Sequence, residues 1–488
     1  MDSTWLSLLF GSLYLGLTVS FAIHVIMQRH SVGTTLSWLV LLFALPVAGF
    51  GFYLLFGSKR LGARRMQRLE SLYPDYEQWS GHLSRVINNS HDESSAVQAH
   101  RGVYVLAEQT LGIPVLTSNQ IQLFHETASM IDGILWDINH ARQSIVIEFY
   151  IWDIQGRGRE LAEAVIQAAR RGVDCMVVLD GVGSRSFLKG AWSKRFRLEG
   201  ISVTESMPVG LLRMLVERMD IRNHRKILVV DDKIAWSGSF NLVDPRFFKR
   251  DARVGQWVDA MVRIEGGAAH VLANIAQLDR VLETGEQLQL FQTNYELPAD
   301  NPDHSQGVNI HVLPSGPGMD REQLHQVLLT AVYESCEELL ISTPYFVPDE
   351  SLLTALKAAA MRGVDVRLLV PDKNDSRMVH YASRSYYEEL LAAGVKILQF
   401  KGGLLHTKCV LVDRTTTLFG TVNLDMRSVW LNFEVTLIIY DASFGQTMAD
   451  LLDNYSRQSE LVDEKRWVQR PFRRKLLENT LQLLSPLL

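Results

Sequence analysis

One spaced pattern occurs twice and limits what this chain can fold into. It reads His224-Arg225-Lys226, the apolar run Ile227 to Val230, Asp231, and then Gly238-Ser239-Phe240-Asn241. It returns as His406-Thr407-Lys408, Cys409 to Val412, Asp413, and Gly420-Thr421-Val422-Asn423. Both copies obey H-x-K-x4-D-x6-G-x2-N. Five fixed positions at about one chance in twenty each make two unrelated copies untenable. A chain of 488 residues therefore holds a duplicated unit.

The spacing has a physical reading. Residues two apart on a strand share a face, so His and Lys point the same way in each copy. The apolar run after each pair predicts a buried strand. Asp231-Asp232-Lys233 and Asp413-Arg414-Thr415-Thr416 predict hairpin turns, with return strands over Ile234 to Gly238 and Leu418 to Gly420. A hairpin folded at its midpoint sets Asn241 opposite His224 and Asn423 opposite His406. Gly238 and Gly420 suit a close backbone approach at that open end. An imidazole, an ammonium and an amide gathered there suit a phosphodiester. Lys meets phosphoryl oxygens, Asn adds neutral donors, and His attacks phosphorus or moves protons. Two such hairpins face to face hold a nucleophile and a separate acid/base. No clustered Asp, Glu, His or Cys ligand set calls for a metal or other cofactor. The bland alternative, a pair of ordinary core hairpins, fails on the duplication.

These residues closely resemble the phospholipase D superfamily, whose signature is this duplicated HKD motif. The resemblance implies a pseudo-twofold α/β fold of two α-β-α lobes sharing one site, a covalent phosphohistidine and no metal. It makes His224, Lys226, Asp231, His406, Lys408 and Asp413 the catalytic motif residues. The two aspartates, at the far turns, are expected to be structural. Asn241 and Asn423 are expected on phosphate, with hydroxyl contacts from Ser239 and Thr421. An acid follows each motif, Asp259 after Trp257-Val258 and Glu434 after Asn432-Phe433, and the resemblance assigns both to orienting the histidines. His224 is favoured as nucleophile by superfamily habit, the sequence being symmetric on this point.

The amino terminus narrows the class. Trp5 to Met27 and Leu36 to Phe56 carry no Asp, Glu, Lys or Arg, and each is long enough to span a bilayer. Their short link holds Arg29 and His30, and Lys59, Arg60, Arg64, Arg65 and Arg68 follow. The positive-inside rule then puts the bulk of the chain in the cytoplasm. With no basic n-region and no clear A-x-A site, a cleaved signal peptide is disfavoured. The stretch from Ser37-Trp38 through Leu45-Pro46 to Phe56-Gly57 resembles the membrane hairpin of bacterial cardiolipin synthases. A net charge of −5 argues against non-specific nucleic-acid binding. Cys175, Cys336 and Cys409 are too few and scattered for a disulfide framework.

Taken in order, residues 1–58 are expected as a transmembrane hairpin and 59–112 as a partly helical juxtamembrane connector. The first lobe is 113–291, the linker 292–307, and the second lobe 308–488. Strand Ser144 to Trp152, helix Gly158 to Arg171 and strand Cys175 to Leu179 repeat as Leu339 to Phe346, Ser351 to Arg362 and Val366 to Val370. Arg171-Gly172-Val173-Asp174 against Arg362-Gly363-Val364-Asp365 supports duplication outside the motif. Tyr150 and Tyr345 end equivalent strands and are candidates to line the site, with plain core packing as the alternative. The first lobe alone carries Met207 to Met219, with Pro208, Leu211, Leu212, Met214 and Leu215. It is expected as a short amphipathic helix against the membrane or against the lobe. The tail from Lys465 to Leu488 turns from basic to apolar. It is expected as a helix that caps the second lobe or holds anionic lipid. Asp180-Gly181 echoes the start of a CDP-alcohol phosphotransferase motif whose remaining aspartates are absent.

The resemblance to bacterial cardiolipin synthases runs through hairpin, lobes and tail. It implies joining of two phosphatidylglycerols into cardiolipin with release of glycerol. The protein is expected to be multi-pass in the bacterial inner membrane, meeting phosphatidylglycerol and other anionic phospholipids and no nucleic acid. A homo-oligomer is left open. The rival readings are a phospholipase D yielding phosphatidic acid, a phosphodiesterase or nuclease, and a non-catalytic membrane scaffold.

Overall fold

A computed structural model gives the structure over residues 3–28, 32–53, 57, 61–87, 95–210, 218, 220–286, 307–319 and 322–485. The chain forms two compact units, residues 1–66 with 209–221, and residues 67–208 with 222–488.

In the first unit the apolar runs fold as helices Ser3–Met27, Val32–Ala44 and Pro46–Phe52. The expected single segment from Leu36 to Phe56 is thus two helices. Pro46 lacks an N–H and restricts the residue before it, and Leu45 sits at φ −135°, ψ 69°, outside the helical basin. Val25, Leu42 and Tyr53 are buried, with Phe21, Trp38 and Phe50 around them. Leu15, Leu17, Ile23, Ile26, Leu36, Val40 and Phe43 are left exposed. Among the described residues no helix is long and apolar enough to cross a membrane. Leu211, Leu212, Met214 and Leu215 of the expected amphipathic helix lie outside the described residues, as does 292–306 of the expected linker.

The second unit is built on one fifteen-stranded sheet with two short accessory pairs. In chain order the strands are β1 (Leu116–Phe124), β2 (Ser144–Phe149), β3 (Asp174–Asp180), β4 (Ser202–Ser206), β5 (Lys226–Val230), β6 (Ile234–Gly238), β7 (Trp257–Val258), β8 (Met261–Glu265), β9 (Val308–Ser315) and β10 (Glu338–Ser342). They continue as β11 (Phe346–Val347), β12 (Asp365–Pro371), β13 (Lys396–Phe400), β14 (Leu404–Leu405), β15 (Cys409–Val412), β16 (Thr416–Gly420), β17 (Leu424–Asp425), β18 (Glu434–Tyr440) and β19 (Ser459–Leu461). The sheet order is β19-β13-β12-β10-β15-β16-β18-β9-β1-β8-β6-β5-β2-β3-β4. β1 and β9 pair antiparallel at the centre. Outward from them β8-β6-β5-β2-β3-β4 repeats as β18-β16-β15-β10-β12-β13, one lobe on each side. Each motif sits on an antiparallel hairpin beside a parallel trio, and helix Arg157–Arg170 or Glu350–Met361 makes the first crossover of each trio. All five residues of β5 and all four of β15 are buried, as strands covered on both faces must be.

Both hairpins turn through two consecutive residues in the left-handed region, Asp231 and Asp232 at φ 53° and 57°, Asp413 and Arg414 at 47° and 54°. That is a type I′ geometry, whose twist matches the flanking strands. The registers pair Val230 with Ile234 and Val412 with Thr416. Extended to the open ends, they put Phe240 and Val422 opposite the histidines, one residue short of the asparagines expected there.

The connector packs on the lobes. Its helices are Ala63–Ile87, Ser95–Ala99 and Arg101–Leu111. Arg68 donates to the carbonyls of Leu282 and Glu283 at 2.7 and 2.8 Å, at the end of helix Gly267–Thr284. The tail forms helices Glu464–Val468 and Phe472–Gln482, parted at Pro471. The second packs on helix Arg377–Ser385, and buried Glu478 pairs with Arg384, Arg470 and Arg474. Part of the tail's basic charge is thereby held internally.

Candidate active site

The two motif histidines are wired across the lobes. His224, from the first lobe, meets Glu434 of the second, with Nδ1 3.0 and 2.9 Å from Oε1 and Oε2. His406, from the second lobe, has Nδ1 2.6 Å from Oδ1 of Asp259 in the first. Backbone contacts impose this crossing. His224 N donates to Phe433 O at 2.8 Å, and His406 N donates to Val258 O at 2.8 Å. β14 also pairs in parallel with β7, which brings His406 beside Asp259. Each histidine precedes its motif strand in extended chain, so its main chain is free to bond the opposite lobe.

Lys226 Nζ donates to His224 O at 2.8 Å and Lys408 Nζ to His406 O at 2.6 Å. Both lysines are buried. Asn241 Oδ1 accepts from Ile151 N at 3.1 Å, and Asn423 Nδ2 donates to Ser428 Oγ at 3.1 Å. The other amide atoms, Asn241 Nδ2 and Asn423 Oδ1, have no partner among the described residues. Ser239 and Thr421 depart from the expected phosphate contacts. Ser239 Oγ donates to Asp259 Oδ1 at 2.6 Å and Thr421 Oγ1 to Glu434 Oε2 at 2.5 Å. Their protons are committed to the carboxylates that hold the histidines, so the two hydroxyls position acids.

Asp231 and Asp413 stand at the far turns, seven residues and on the order of 20 Å along the strand from the histidines. Asp231 accepts from the backbone N–H of Arg142, Gln143 and Ser144 at 2.7–3.1 Å. Asp413 accepts from those of Cys336, Glu337 and Glu338, each at 2.8 Å. Each ties a hairpin to the start of the neighbouring strand, β2 or β10, and neither is brought to the histidines.

Burial dominates the electrostatics. It holds both imidazoles down to about 4, against Glu434 and Asp259, which pull them up. Burial also lowers Lys226 to about 8 and Lys408 to about 7. For Asp259 and Glu434 burial works upward, but the histidine and lysine charges outweigh it and hold both carboxyls below their usual range. At neutral pH the imidazoles are neutral, with Nδ1–H directed at a carboxylate and the Nε2 lone pair available. The lysines straddle their charge change. Among the described residues no group of three or more His, Cys, Asp or Glu is placed to hold a metal ion.

Comparison with known proteins fits this geometry. Residues 134–252 and 328–456 match the family described as cardiolipin synthase, PLD-like domain, and residues 16–58 match phospholipase D-nuclease N-terminal. Cardiolipin synthase A of Cronobacter sakazakii is 43% identical over 486 residues, covering 99% of this chain and 98% of its own. That of Citrobacter koseri is 42% identical with the same coverage. The chain belongs to the PLD-like cardiolipin synthase family. The crystal structure of phosphatidylserine synthase from Haemophilus influenzae aligns over 81% of this chain and all of its own, with a TM-score of 0.59 at 16% identity. It shares the two-lobed fold.

The family signature does not contain everything that touches the histidines. The Tyr150 ring lies 5.0 Å from that of His224, edge-on, and Lys226 Nζ is 5.7 Å from the same tyrosine. Trp257 packs 4.3 Å from His406. Tyr150 was legible from its place at a strand end. Trp257 was not, because its ring reaches a histidine 149 positions away only through the β7–β14 pairing.

Proposed function

We propose that this chain is a membrane-anchored cardiolipin synthase that joins two phosphatidylglycerols, releasing glycerol, through a phosphohistidine. The observation that carries the reading is the pair of buried imidazoles, each held at Nδ1 by a carboxylate, beside two buried lysines. Nε2 of His224 attacks phosphorus of the first lipid; the N–P bond forms and the P–O bond to glycerol breaks. His406 reacts in its imidazolium form, which Asp259 stabilises at Nδ1, and delivers its Nε2 proton to the departing glycerol oxygen. It then takes the proton from a hydroxyl of the second lipid, whose oxygen displaces His224 from phosphorus. Glu434 and Asp259 keep both rings oriented and stabilise their charged forms. Lys226, Lys408, Asn241 and Asn423 stabilise the equatorial oxygens in both steps.

A lipid substrate agrees with the first unit. Its helices leave an apolar surface uncovered, which in a water-facing protein is costly at this extent. We read residues 1–58 as a membrane hairpin, with the basic residues after it keeping the lobes, 113–291 and 308–488, on the cytoplasmic side.

The test is to give membranes holding the protein labelled phosphatidylglycerol without CDP-diacylglycerol and resolve products by mass. Cardiolipin with free glycerol supports the transferase; phosphatidic acid alone makes water the acceptor and overturns it. His224→Ala and His406→Ala each abolish transfer, and full activity in either removes the shared-site mechanism.

A further inference from the structure

Beneath His224 lies a buried polar cluster that the transfer steps leave unused. Asn223 and Arg225 flank the histidine in the chain. Asn223 Nδ2 donates to Glu148 Oε1 at 2.5 Å and to Asp279 Oδ2 at 3.1 Å, and Arg225 Nη1 donates to the same Asp279 oxygen at 2.5 Å. Arg225 also donates to Glu434 O at 3.0 Å and Ser315 O at 3.3 Å. None of these four side chains belongs to a residue more than 3% exposed. The two carboxyl groups, one on β2 and one on helix Gly267–Thr284, are bridged by Asn223 Nδ2, which donates to both. Among the described residues Glu148 Oε2 and Asp279 Oδ1 have no donor.

Two buried carboxyl groups bridged by one amide nitrogen repel when both are ionised, and a proton on one of them removes the repulsion. The charge count agrees. Arg225 balances one carboxylate, and a second would stand uncompensated in the interior, where that is costly. The surrounding charged groups are already engaged: Asp180 with Arg222, and Glu434 with His224, with Lys226 beyond. Burial, then the Asp279 charge, push Glu148 well above the usual carboxyl range.

The equivalent described positions of the second lobe carry no such charge. Strand register makes Ser342, opposite Cys409, the counterpart of Glu148, opposite Ile227. The motif spacing makes Leu405 and Thr407 the counterparts of Asn223 and Arg225. There Ser342 Oγ donates to Thr407 O at 2.9 Å, and Thr407 Oγ1 lies 3.3 Å from Tyr455 Oη. His406 rests on neutral hydroxyls where His224 rests on an ionic cluster.

We propose that Glu148 is protonated and acts with Asp279, through Asn223 and Arg225, as a positioning device for His224 alone. The positioning role rests on reading His224 as a reacting group; the proton on Glu148 does not. Raising the pH breaks the carboxyl O–H bond, passes the proton to solvent hydroxide, and leaves a net negative charge under one histidine only.

The experiment uses the full chain in lipid nanodiscs. Infrared spectra of wild type should show the carbonyl band of a buried protonated carboxylic acid, shifted in D2O and absent in Glu148→Gln. Because the folded-state affinity of Glu148 for its proton exceeds the unfolded one, its stabilisation is lost as pH rises. Glu148→Gln should therefore gain melting temperature relative to wild type as the pH rises above the ordinary carboxyl range. In turnover, Asp279→Asn, which strips the partner of Arg225, should lower kcat about 10- to 100-fold, with Glu148→Gln within about threefold of wild type. Absence of the acid band overturns the protonation of Glu148. The reverse order of the two variants, or equal kcat in both, overturns the positioning role. If wild type makes no cardiolipin, the reading of function fails while the infrared result still decides the proton.

Discussion

Replacing Glu434 by Gln tests the crossed wiring, because it perturbs a second-lobe residue to read out a first-lobe histidine. The side chain is fully buried, meets His224 Nδ1 at 2.9 and 3.0 Å and accepts from Thr421. Glutamine keeps the shape and one acceptor oxygen but removes the charge. A buried hydrogen bond to a charged group contributes about 1.5–3 kcal/mol, so the loss converts to about 10- to 150-fold in the transfer rate. The acid limb of the profile should move in a defined direction. Glu434 raises the affinity of His224 for a proton, against burial, which has lowered it to about 4. Without the carboxylate the ring stays neutral to still lower pH, so the plateau falls while the acid limb shifts down. Initial rates of cardiolipin formation from labelled phosphatidylglycerol, taken across pH, measure both. Rates within threefold of wild type, or an acid limb that moves up, would refute the reasoning. Asp259→Asn is the matched control, acting on His406.

Three further outcomes follow from the same geometry. With Lys226 and Lys408 lowered to about 8 and about 7, the two cations proposed to stabilise phosphate are charged below those values and neutral above them. kcat/KM should thus decline as pH rises through this window, and a flat profile to about pH 9.5 contradicts it. Asp413→Asn should cost about 1–3 kcal/mol of stability, read by denaturant unfolding, with turnover retained by the folded fraction. The Asp413 carboxyl is held down to about 2 by His100 and three backbone N–H groups, against burial, so its contribution is present above about pH 4 and lost as pH falls toward 2. Gly238→Ala should fail by stability as well as activity. The backbone there is at φ 151°, and an added Cβ would stand 2.5 Å from Ala260 O. An alanine that folds with wild-type melting would show that β6 can move away from β8.

Much of this architecture was legible along the chain because it is periodic and local. The duplicated spacing carried the hairpins, and their far turns fall where consecutive polar residues interrupt the buried runs. Crossover helix Arg157–Arg170 differs from its expected span by one residue at each end, because the apolar period and the glycine after it are sequence properties. The break at Pro46 was also within reach of local rules, since the residue before a proline leaves the helical basin.

By itself the sequence singled out the groups of the candidate site: two histidines, two lysines, two amides and two acids, in a chain with an apolar amino terminus. The tertiary structure decided which acid serves which histidine. That pairing crosses lobes because β7 pairs with β14 and Asn223 bridges to Phe433, contacts between residues 147 and 210 positions apart. It also decided that Ser239 and Thr421 bond acids, and that Glu148, Asn223, Arg225 and Asp279 converge under one histidine. Spacing along a strand says which face a side chain takes. What stands opposite that face is set by long-range strand pairing and by the exclusion of water from the seam between lobes, which no local pattern encodes.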